Sequence, residues 1–343
     1  MERCALIFIL GVLLLFGYIF IYLYLNKTKT HSFISVQAKQ LTSTNLLKTD
    51  RVVKPMCISC DSYSFSLDSQ CQTNVNDTSS QQRNNEFNKI FTNKIWGNYG
   101  SRSGPGSTLE GTYDWIKYLR SLFEQYSIRS LADIPCGDTY WQFSPREINA
   151  IDGLYFGGDI STNVIAHNQK LYHSKHKNKI FHYWDLVRCP IPTYSFSNQT
   201  YQSNNNSFDL IIVRDALQHM HIRNGLKAVR NVILSGAKYF ALTSYPPNGK
   251  SSAANTRSIG KNESLPAKPI GCETKDYCKL GQINDGSFYA NNINCPPFNF
   301  SLNKAILIQP SHVQFKMESD EIHIYEIDEE LKQIVKQYDK ACS

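Results

Sequence analysis

Three short apolar runs in the sequence each end at an acidic residue, and these residues are candidates for chemistry. The runs lie within 130–138, 155–159 and 208–215, and they end at Asp138, Asp159 and Asp215. Such runs are typical of buried strands in a parallel α/β sheet, where ligands bind beyond the carboxyl ends of the strands. The pattern therefore predicts a ligand site that brings the three acidic residues to one edge of a sheet.

The loop after the first run indicates the kind of ligand. It contains one glycine, Gly137, whereas the dinucleotide pattern G-x-G-x-x-G has three. One small residue allows a close approach of the backbone to a ligand but cradles a pyrophosphate poorly, which disfavours a dinucleotide. Asp159 follows about twenty residues later, where a carboxylate accepts hydrogen bonds from both hydroxyls of a ribose. An isolated acidic residue is more often a helix cap, but acidic residues at three successive strand ends favour a site.

Apolar periodicity predicts the elements that position these residues. The predicted fold is a Rossmann-like, doubly wound α/β sheet of seven strands, with ordered structure from about Phe87 to about Lys336. The last two strands have no helical pattern between them, so we expect them to pair antiparallel at the sheet edge. Strands are expected at 130–134, 153–157, 179–183, 208–214, 239–244, 305–309 and 321–327, and helices at 112–128, 163–172, 222–233 and 328–338. A capping-box pattern, Ser107 to Glu110, precedes the first helix.

Residues from about Ile95 to Ile327 resemble the class I S-adenosylmethionine-dependent methyltransferases. The resemblance is carried by Asp133-Ile134-Pro135-Cys136-Gly137-Asp138 at the first motif, Asp159 at the ribose-binding position, Trp184-Asp185-Leu186 near the adenine, and 208–220 at the fourth motif. More narrowly, Ile95-Trp96-Gly97, 101–107, 214–219 and 294–298 are similar to a group of uncharacterised methyltransferases of bacteria and invertebrates. The first motif departs from the family, because Pro135-Cys136-Gly137-Asp138 replaces the usual glycine-rich ending.

The resemblance implies the methyltransferase fold, S-adenosylmethionine as the cofactor and a set of cofactor-binding residues. That set is Arg102, Asp133, Pro135, Cys136, Gly137, Asp138, Asp159, Ile160, Asp185, Leu186 and Arg214. Arg102 is a candidate to bind the cofactor's carboxylate, with an exposed cation in a tight turn as the alternative. Arg214 is expected to pair with a carboxylate of the cofactor or of the protein.

Methyl transfer from a sulfonium is an in-line displacement that often requires removal of a proton from the acceptor. His219 is the first candidate base, with a structural histidine at a helix start as the alternative. Asp215 is the second candidate, as base, as the partner that orients His219, or as a ligand of a divalent metal. Nothing else in the sequence indicates a metal. The acceptor side is expected to be lined by Thr243, Tyr245, Asn294 and Phe298, with specificity in the insertion 246–294.

The amino-terminal segment predicts a membrane anchor. Residues 4–25 carry no charge and are long enough to span a bilayer, so we expect an uncleaved signal anchor, with a removed signal peptide as the alternative. A polar stem, 26–88, and a methyltransferase-like domain, 89–343, are expected to follow. Lys27 and Lys29 after the span favour a cytoplasmic domain. Sequons at Asn76, Asn198, Asn205, Asn262 and Asn299 favour a lumenal one.

The cysteines also favour an oxidising compartment. Those outside the predicted sheet are expected to form disulfides of unknown connectivity: Cys57, Cys60, Cys71, Cys272, Cys278 and Cys295, with Cys342 as a further candidate. The Cys57/Cys60/Cys71 group lacks a fourth ligand at zinc-site spacing. The net charge of +7 is scattered rather than grouped with aromatic residues, which excludes an evident nucleic-acid surface.

These features predict a single-pass type II membrane protein of the Golgi or secretory-pathway lumen that methylates a sugar hydroxyl of a glycan or glycoprotein. Three alternatives remain open. A Golgi glycosyltransferase shares the anchor and stem, but the chain has no Asp-x-Asp motif. A catalytically inactive methyltransferase fold would act as a glycan-binding or assembly protein, and a cytosol-facing enzyme would methylate a small molecule.

Overall fold

The computed structural model describes residues 63–66, 71, 77–98, 100–143, 153–172, 176–196, 206–245, 278, 283–311 and 320–341. All of them belong to the compact unit Cys57–Ser343. No helix within these ranges is long and apolar enough to cross a membrane. The predicted anchor at 4–25 lies outside them, as does most of the predicted stem.

A seven-stranded mixed sheet forms the centre of the fold. Its strands are β2 (Ser130–Asp133), β3 (Leu154–Asp159), β4 (Lys179–Tyr183), β6 (Leu210–Val213), β7 (Tyr239–Ser244), β8 (Ala305–Pro310) and β9 (Glu321–Glu326). A separate antiparallel pair joins β1 (Tyr63–Ser66) to β5 (Thr193–Phe196). The order in the large sheet is β4-β3-β2-β6-β7-β9-β8, and β9 pairs antiparallel with both of its neighbours. The strand order reverses between β2 and β6, which is the topological switch point where such sheets bind ligands.

Helices cover both faces of this sheet. They are α1 (Thr78–Thr92), α2 (Tyr113–Tyr126), α3 (Tyr140–Phe143), α4 (Thr162–Tyr172), α5 (Ile222–Ile233) and α6 (Glu329–Val335). Alternate residues of β6 enter two core clusters: Ile211 and Val213 pack in the cluster that contains α5 and α6, and Leu210 and Ile212 pack in the cluster that contains α2. Because both faces are covered, the parallel strands are near-continuous apolar runs.

The predicted sheet is confirmed in its strand number and its antiparallel edge. The bounds predicted for β4, α5 and β7 are those observed. The predicted capping box is wrong, because α2 begins at Tyr113 and Ser107 ends a 3-10 turn, Pro105–Ser107. Thr108 instead accepts a hydrogen bond from the Gly111 backbone through its hydroxyl, 3.0 Å away.

Ordered structure begins well before Phe87, because α1 lies where the sequence predicts a stem. The carboxylate of Asp77 caps α1 by accepting a hydrogen bond from the Ser80 amide at 2.9 Å. Arg83, on the same helix, is 5% exposed and forms an ion pair of 2.6 Å with the buried Asp185. Helix α1 is therefore fixed to the domain partly by a buried ion pair.

Four cysteines of the described residues form disulfide bonds. Cys71 is bonded to Cys189, with a Cα–Cα distance of 5.7 Å, and Cys278 and Cys295 are also disulfide-bonded. The predicted participation of Cys71, Cys278 and Cys295 is confirmed, while Cys189 was not expected. Cys57, Cys60, Cys272 and Cys342 lie outside the described residues. Cys136 is a buried free thiol.

Candidate functional site

A cleft lies at the carboxyl ends of β2, β3 and β6. Ten of the predicted site residues line it: Arg102, Asp133, Pro135, Cys136, Gly137, Asp159, Ile160, Arg214, Asp215 and His219. The fold thus brings together the loop after β2, the end of β3 and the turn after β6, which are far apart in sequence.

The loop after β2 lies close to its neighbours in a backbone conformation that favours glycine at position 137. Gly137 has a φ of +57°, and a Cβ there would lie 2.6 Å from Ser103 Oγ. Its amide donates a hydrogen bond of 3.1 Å to Asp159 Oδ2. The Cys136 amide donates to the Gly158 carbonyl at 2.9 Å, so the loop is fixed against β3.

Two buried carboxyl groups, Asp159 and Asp133, lie in this cleft. Asp159 accepts hydrogen bonds from the Gly137 and Ser161 amides, and Asp133 accepts from Gln142 Nε2 and the Tyr155 hydroxyl. Burial raises the pKa of Asp159 to about 6 and that of Asp133 to about 6 as well, against the opposing effect of these hydrogen bonds. Carboxylates at this position can accept hydrogen bonds from a ligand's hydroxyl groups.

The Arg214 guanidinium is held by protein groups. It lies over the rings of Trp115 and Trp141, 5.6 Å from each ring centroid. Its Nη2 donates to the Gly106 carbonyl at 2.6 Å and forms an ion pair of 2.9 Å with Asp215 Oδ2. Of the two predicted partners for Arg214, the structure provides the protein carboxylate.

Asp215 is held in an unusual backbone conformation, with a φ of +48°. Aspartate is among the residues that tolerate the left-handed region. The Asp215 amide donates to Thr243 Oγ1 at 3.1 Å, and its Oδ1 accepts from Gln218 Nε2 at 3.3 Å. The carboxylate is therefore engaged by Arg214 and Gln218 at the floor of the cleft.

His219 lies at the end of a 3-10 turn, Leu217–His219, and borders the cleft. Its Nδ1 is 2.7 Å from the Ser287 carbonyl oxygen. The Trp96 ring lies against the imidazole with centroids 4.7 Å apart and planes tilted by 31°. A backbone carbonyl therefore orients Nδ1. Asp215, which the sequence offered as one candidate for this orienting role, does not make this contact.

Arg102 presents its guanidinium at the cleft, above the Phe91 ring and 5.3 Å from its centroid. Its backbone amide is fixed by a hydrogen bond of 2.6 Å to Asp138 Oδ2. Within the part of the chain that the structure describes, no carboxylate forms an ion pair with the Arg102 side chain. It is therefore a cation available to an anionic group of a ligand.

Three residues predicted to contact the cofactor lie away from the cleft. Asp138 is buried and accepts hydrogen bonds from the Ser101 hydroxyl and the Arg102 amide. Asp185 is buried against Arg83, and Leu186 packs in the core. Asp138 therefore fixes the loop that carries Arg102, and Asp185 fixes α1.

The four residues predicted for the acceptor side do not line the cleft, and they contact other protein groups. Thr243 accepts from the Asp215 amide, and the Tyr245 hydroxyl accepts from Gln218 Nε2 at 3.2 Å. Asn294 Nδ2 donates to the Phe300 carbonyl and the Tyr325 hydroxyl. Phe298 is 1% exposed in the core.

Helix α1 and the segment after it provide a wall of the cleft that sequence reasoning missed. Phe87, Ile90, Phe91 and Trp96 line the cleft on this side. The first three occur at helical spacing within an otherwise polar segment, which is the signal that could have revealed them. Trp141 and Gln142 of α3 were missed as well.

Among the described residues, no group of three or more His, Cys, Asp or Glu side chains is placed to hold a metal ion. Of the three roles considered for Asp215, the contacts bear on one: its carboxylate binds Arg214 and Gln218, while Nδ1 of His219 contacts the Ser287 carbonyl.

No protein-family model matches the chain, and neither does any curated protein. Among solved structures, the magnesium protoporphyrin IX methyltransferase of Synechocystis PCC 6803, with bound S-adenosylhomocysteine, is 13% identical over 72% of this chain and 98% of its own, with a TM-score of 0.45. The N-methyltransferase NodS of Bradyrhizobium japonicum WM9, also with S-adenosylhomocysteine, is 10% identical over 71% and 98%, with a TM-score of 0.43. TehB of Haemophilus influenzae is 10% identical over 61% of each chain, with a TM-score of 0.36.

The seven-stranded mixed sheet with flanking helices fits the class I methyltransferase fold. The features that fit this fold are the strand order, the antiparallel β9 between β7 and β8, and the helices that cover both faces. Fold by itself does not establish an activity, which has to be argued from the cleft.

Proposed function

We propose that this chain is an S-adenosylmethionine-dependent methyltransferase. The observation that carries the proposal is the position of Asp159, which ends β3 inside the cleft and is held there by the Gly137 and Ser161 amides. A carboxylate so placed accepts hydrogen bonds from the two hydroxyls of a ribose. The loop after β2 has one glycine and no phosphate cradle, which favours a nucleoside over a dinucleotide.

The other residues of the cleft fit the rest of such a cofactor. The Arg102 guanidinium would bind the carboxylate of the methionyl group, because it is cationic and forms no ion pair with a described residue. Ile160, which follows Asp159, supplies apolar surface for the adenine, and the rings of Phe87 and Phe91 line the cleft beside Trp96 and Arg102. When bound, S-adenosylmethionine supplies a methyl group on a sulfonium.

In this proposal His219 removes the proton of the acceptor hydroxyl as the methyl group is transferred. Imidazole suits this task because its ordinary pKa is close to the working pH. Trp96 and Met220 beside it are apolar and help to exclude water from the reacting atoms. Arg214 and Asp215 bind each other and fix the turn that carries His219.

We further propose that the acceptor is a sugar hydroxyl of a glycan or glycoprotein in the lumen of the secretory pathway, with residues 4–25 as a type II anchor. Disulfide bonds at Cys71, Cys189, Cys278 and Cys295 support an oxidising compartment. Asn299 supports it too, since it begins a sequon and is exposed. An expressed protein whose mobility changes on endoglycosidase treatment, with a smaller change in Asn299→Gln, would support the lumenal location. An unglycosylated protein would refute it.

The cofactor assignment is tested by isothermal titration of the full chain with S-adenosylmethionine, S-adenosylhomocysteine and NAD. We expect the first two to bind and NAD not to bind. Asp159→Asn should weaken binding about 10- to 100-fold, since a hydrogen bond to a charged group is worth about 1.5–3 kcal/mol. Asp328→Asn is the matched control, because Asp328 caps α6 by accepting from the Leu331 amide. A folded protein that binds neither nucleoside would refute the proposal and favour an inactive, glycan-binding fold.

A further inference from the structure

A short segment near the end of the 246–294 insertion crosses the turn that carries His219. This segment, residues 285–291, is called the strap. The Gly286 amide donates to the His219 carbonyl at 2.9 Å, and the Tyr289 amide donates to the Gln218 carbonyl at 3.0 Å. The Asn291 carbonyl accepts from the Tyr245 amide at 2.8 Å. The strap is thus bonded through its backbone to the Leu217–His219 turn and to the residue that follows β7.

The strap also contacts the imidazole of His219. The Ser287 carbonyl oxygen is 2.7 Å from Nδ1. A carbonyl oxygen can only accept a hydrogen bond, so Nδ1 must carry the proton of this contact. In a neutral imidazole the lone pair is then on Nε2, which makes Nε2 the basic nitrogen. The Trp96 and Phe288 rings lie 4.7 Å and 5.8 Å from the imidazole and restrict its rotation.

Glycine is required at the point where the strap passes between His219 and α1. Gly286 is buried and has a φ of +85°. A Cβ at this position would lie 2.6 Å from Ile90 Cδ1, and Ile90 itself is 2% exposed. Any other residue would therefore strain the backbone and displace either the strap or the Ile90 side chain on the helix that walls the cleft.

We propose that Gly286 and Ser287 are positioning residues for His219. Gly286 lets the strap approach closely enough to bind the turn, and the Ser287 carbonyl fixes the Nδ1–H tautomer, so that Nε2 serves as the base toward the acceptor. The proposal rests on the proposed function in that His219 is taken as the base of methyl transfer. The insertion 246–294 would then have a second role besides acceptor selection. Residues near its end would determine which nitrogen of the His219 imidazole is basic.

The tautomer can be measured without any assay of activity. In the full chain labelled with ¹⁵N-histidine, the ring nitrogens of His219 are identified by their loss in His219→Gln. We expect the wild-type spectrum at a pH where the ring is neutral to show a protonated Nδ1 and an unprotonated Nε2. A protonated Nε2 in the folded wild type would overturn the proposal, whether or not the chain binds S-adenosylmethionine.

The contribution of the strap is tested with Gly286→Ala and a matched control, Gly236→Ala. Gly236 has a φ of +80° and would place its Cβ 2.7 Å from Ser207 Oγ, at the end of the sheet opposite the cleft. Both variants should lower the melting temperature. Only Gly286→Ala should alter the His219 tautomer signals and reduce methyl transfer about tenfold or more, with S-adenosylhomocysteine binding within about threefold of wild type.

The outcomes separate the two proposals. If Gly286→Ala retains the wild-type tautomer and turnover, the positioning role is refuted while the methyltransferase proposal stands. If the wild type binds no nucleoside but shows the Nδ1–H tautomer, the methyltransferase proposal fails and the strap's effect on the ring is retained. If Gly286→Ala does not fold, the wild-type tautomer measurement still decides the question.

Discussion

Replacing Arg83 with methionine would remove the cation from the buried ion pair that holds α1 against the domain. Arg83 Nη2 is 2.6 Å from Asp185 Oδ2, and the two residues are 5% and 3% exposed. Breaking a buried pair from one side leaves an uncompensated charge, which costs about 3–5 kcal/mol. For a domain of this size that loss corresponds to a fall in melting temperature of about 6–20 °C.

The control is the exposed pair of Arg120 and Glu124 on α2, whose side chains are 59% and 72% exposed. Arg120→Met should change stability by about 0.5 kcal/mol or less, because exposed pairs are screened by solvent. The double variant Arg83→Met, Asp185→Leu should be more stable than Arg83→Met, because apolar replacements of a buried pair are often neutral or stabilising. Urea unfolding of wild type, Arg83→Met, Asp185→Leu and the double variant gives the coupling free energy of the pair. Arg120→Met is measured in the same way as the control.

The same variant should also weaken ligand binding, because α1 supplies Phe87, Ile90 and Phe91 to the cleft. We expect Arg83→Met to raise the Kd for S-adenosylhomocysteine and Arg120→Met to leave it unchanged. The reasoning would be refuted if Arg83→Met and Arg120→Met lost the same free energy of unfolding. It would also be refuted if the loss in the double variant equalled the sum of the losses in Arg83→Met and Asp185→Leu.

Further predictions concern the buried carboxyl group, the base and the disulfide. Asp159 has a raised pKa of about 6, so its contribution to stability is present below about pH 4 and is lost as the pH rises through about 6. Urea unfolding should show the stability of wild type relative to Asp159→Asn falling by about 2 kcal/mol between pH 4 and pH 6, and a flat difference would contradict this. His219→Gln should lower kcat by about 10²- to 10⁴-fold while the Kd for S-adenosylhomocysteine changes by less than about threefold; unchanged turnover would exclude His219 as the base. Cys71→Ser should destabilise the domain by about 2–5 kcal/mol, with no further loss in Cys71→Ser, Cys189→Ser, as measured by thermal unfolding; additive losses would argue against the bond.

The strands that carry the cleft could be predicted because their signals are local. Parallel strands covered on both faces are continuous apolar runs, and Leu210–Val213 and Tyr239–Ser244 are of this kind. Acidic residues at the ends of such runs have to lie at one sheet edge, so Asp159 and Asp215 could be placed at the cleft. The antiparallel pair β8 and β9 could be predicted because the sequence between them has no helical pattern.

The wall made by α1 could not be predicted in the same way, because what holds it is not local. Its attachment depends on Arg83 and Asp185, which are 102 residues apart in sequence. The pairing of β1 with β5 and the bond from Cys71 to Cys189 likewise join distant segments. Asp185, which the family resemblance placed near the adenine, instead forms an ion pair with Arg83. Thr243, which was expected on the acceptor side, accepts a hydrogen bond from the Asp215 amide.

The bond between Cys71 and Cys189 has a mechanical consequence. Tension on the chain before β1 first meets the pairing of β1 with β5. Tension that reaches Cys71 is shared between the backbone that continues to α1 and the covalent link to the segment that follows β4, at the sheet edge. The disulfide therefore reduces the load that a pull on the amino-terminal segment would place on the helix that walls the cleft.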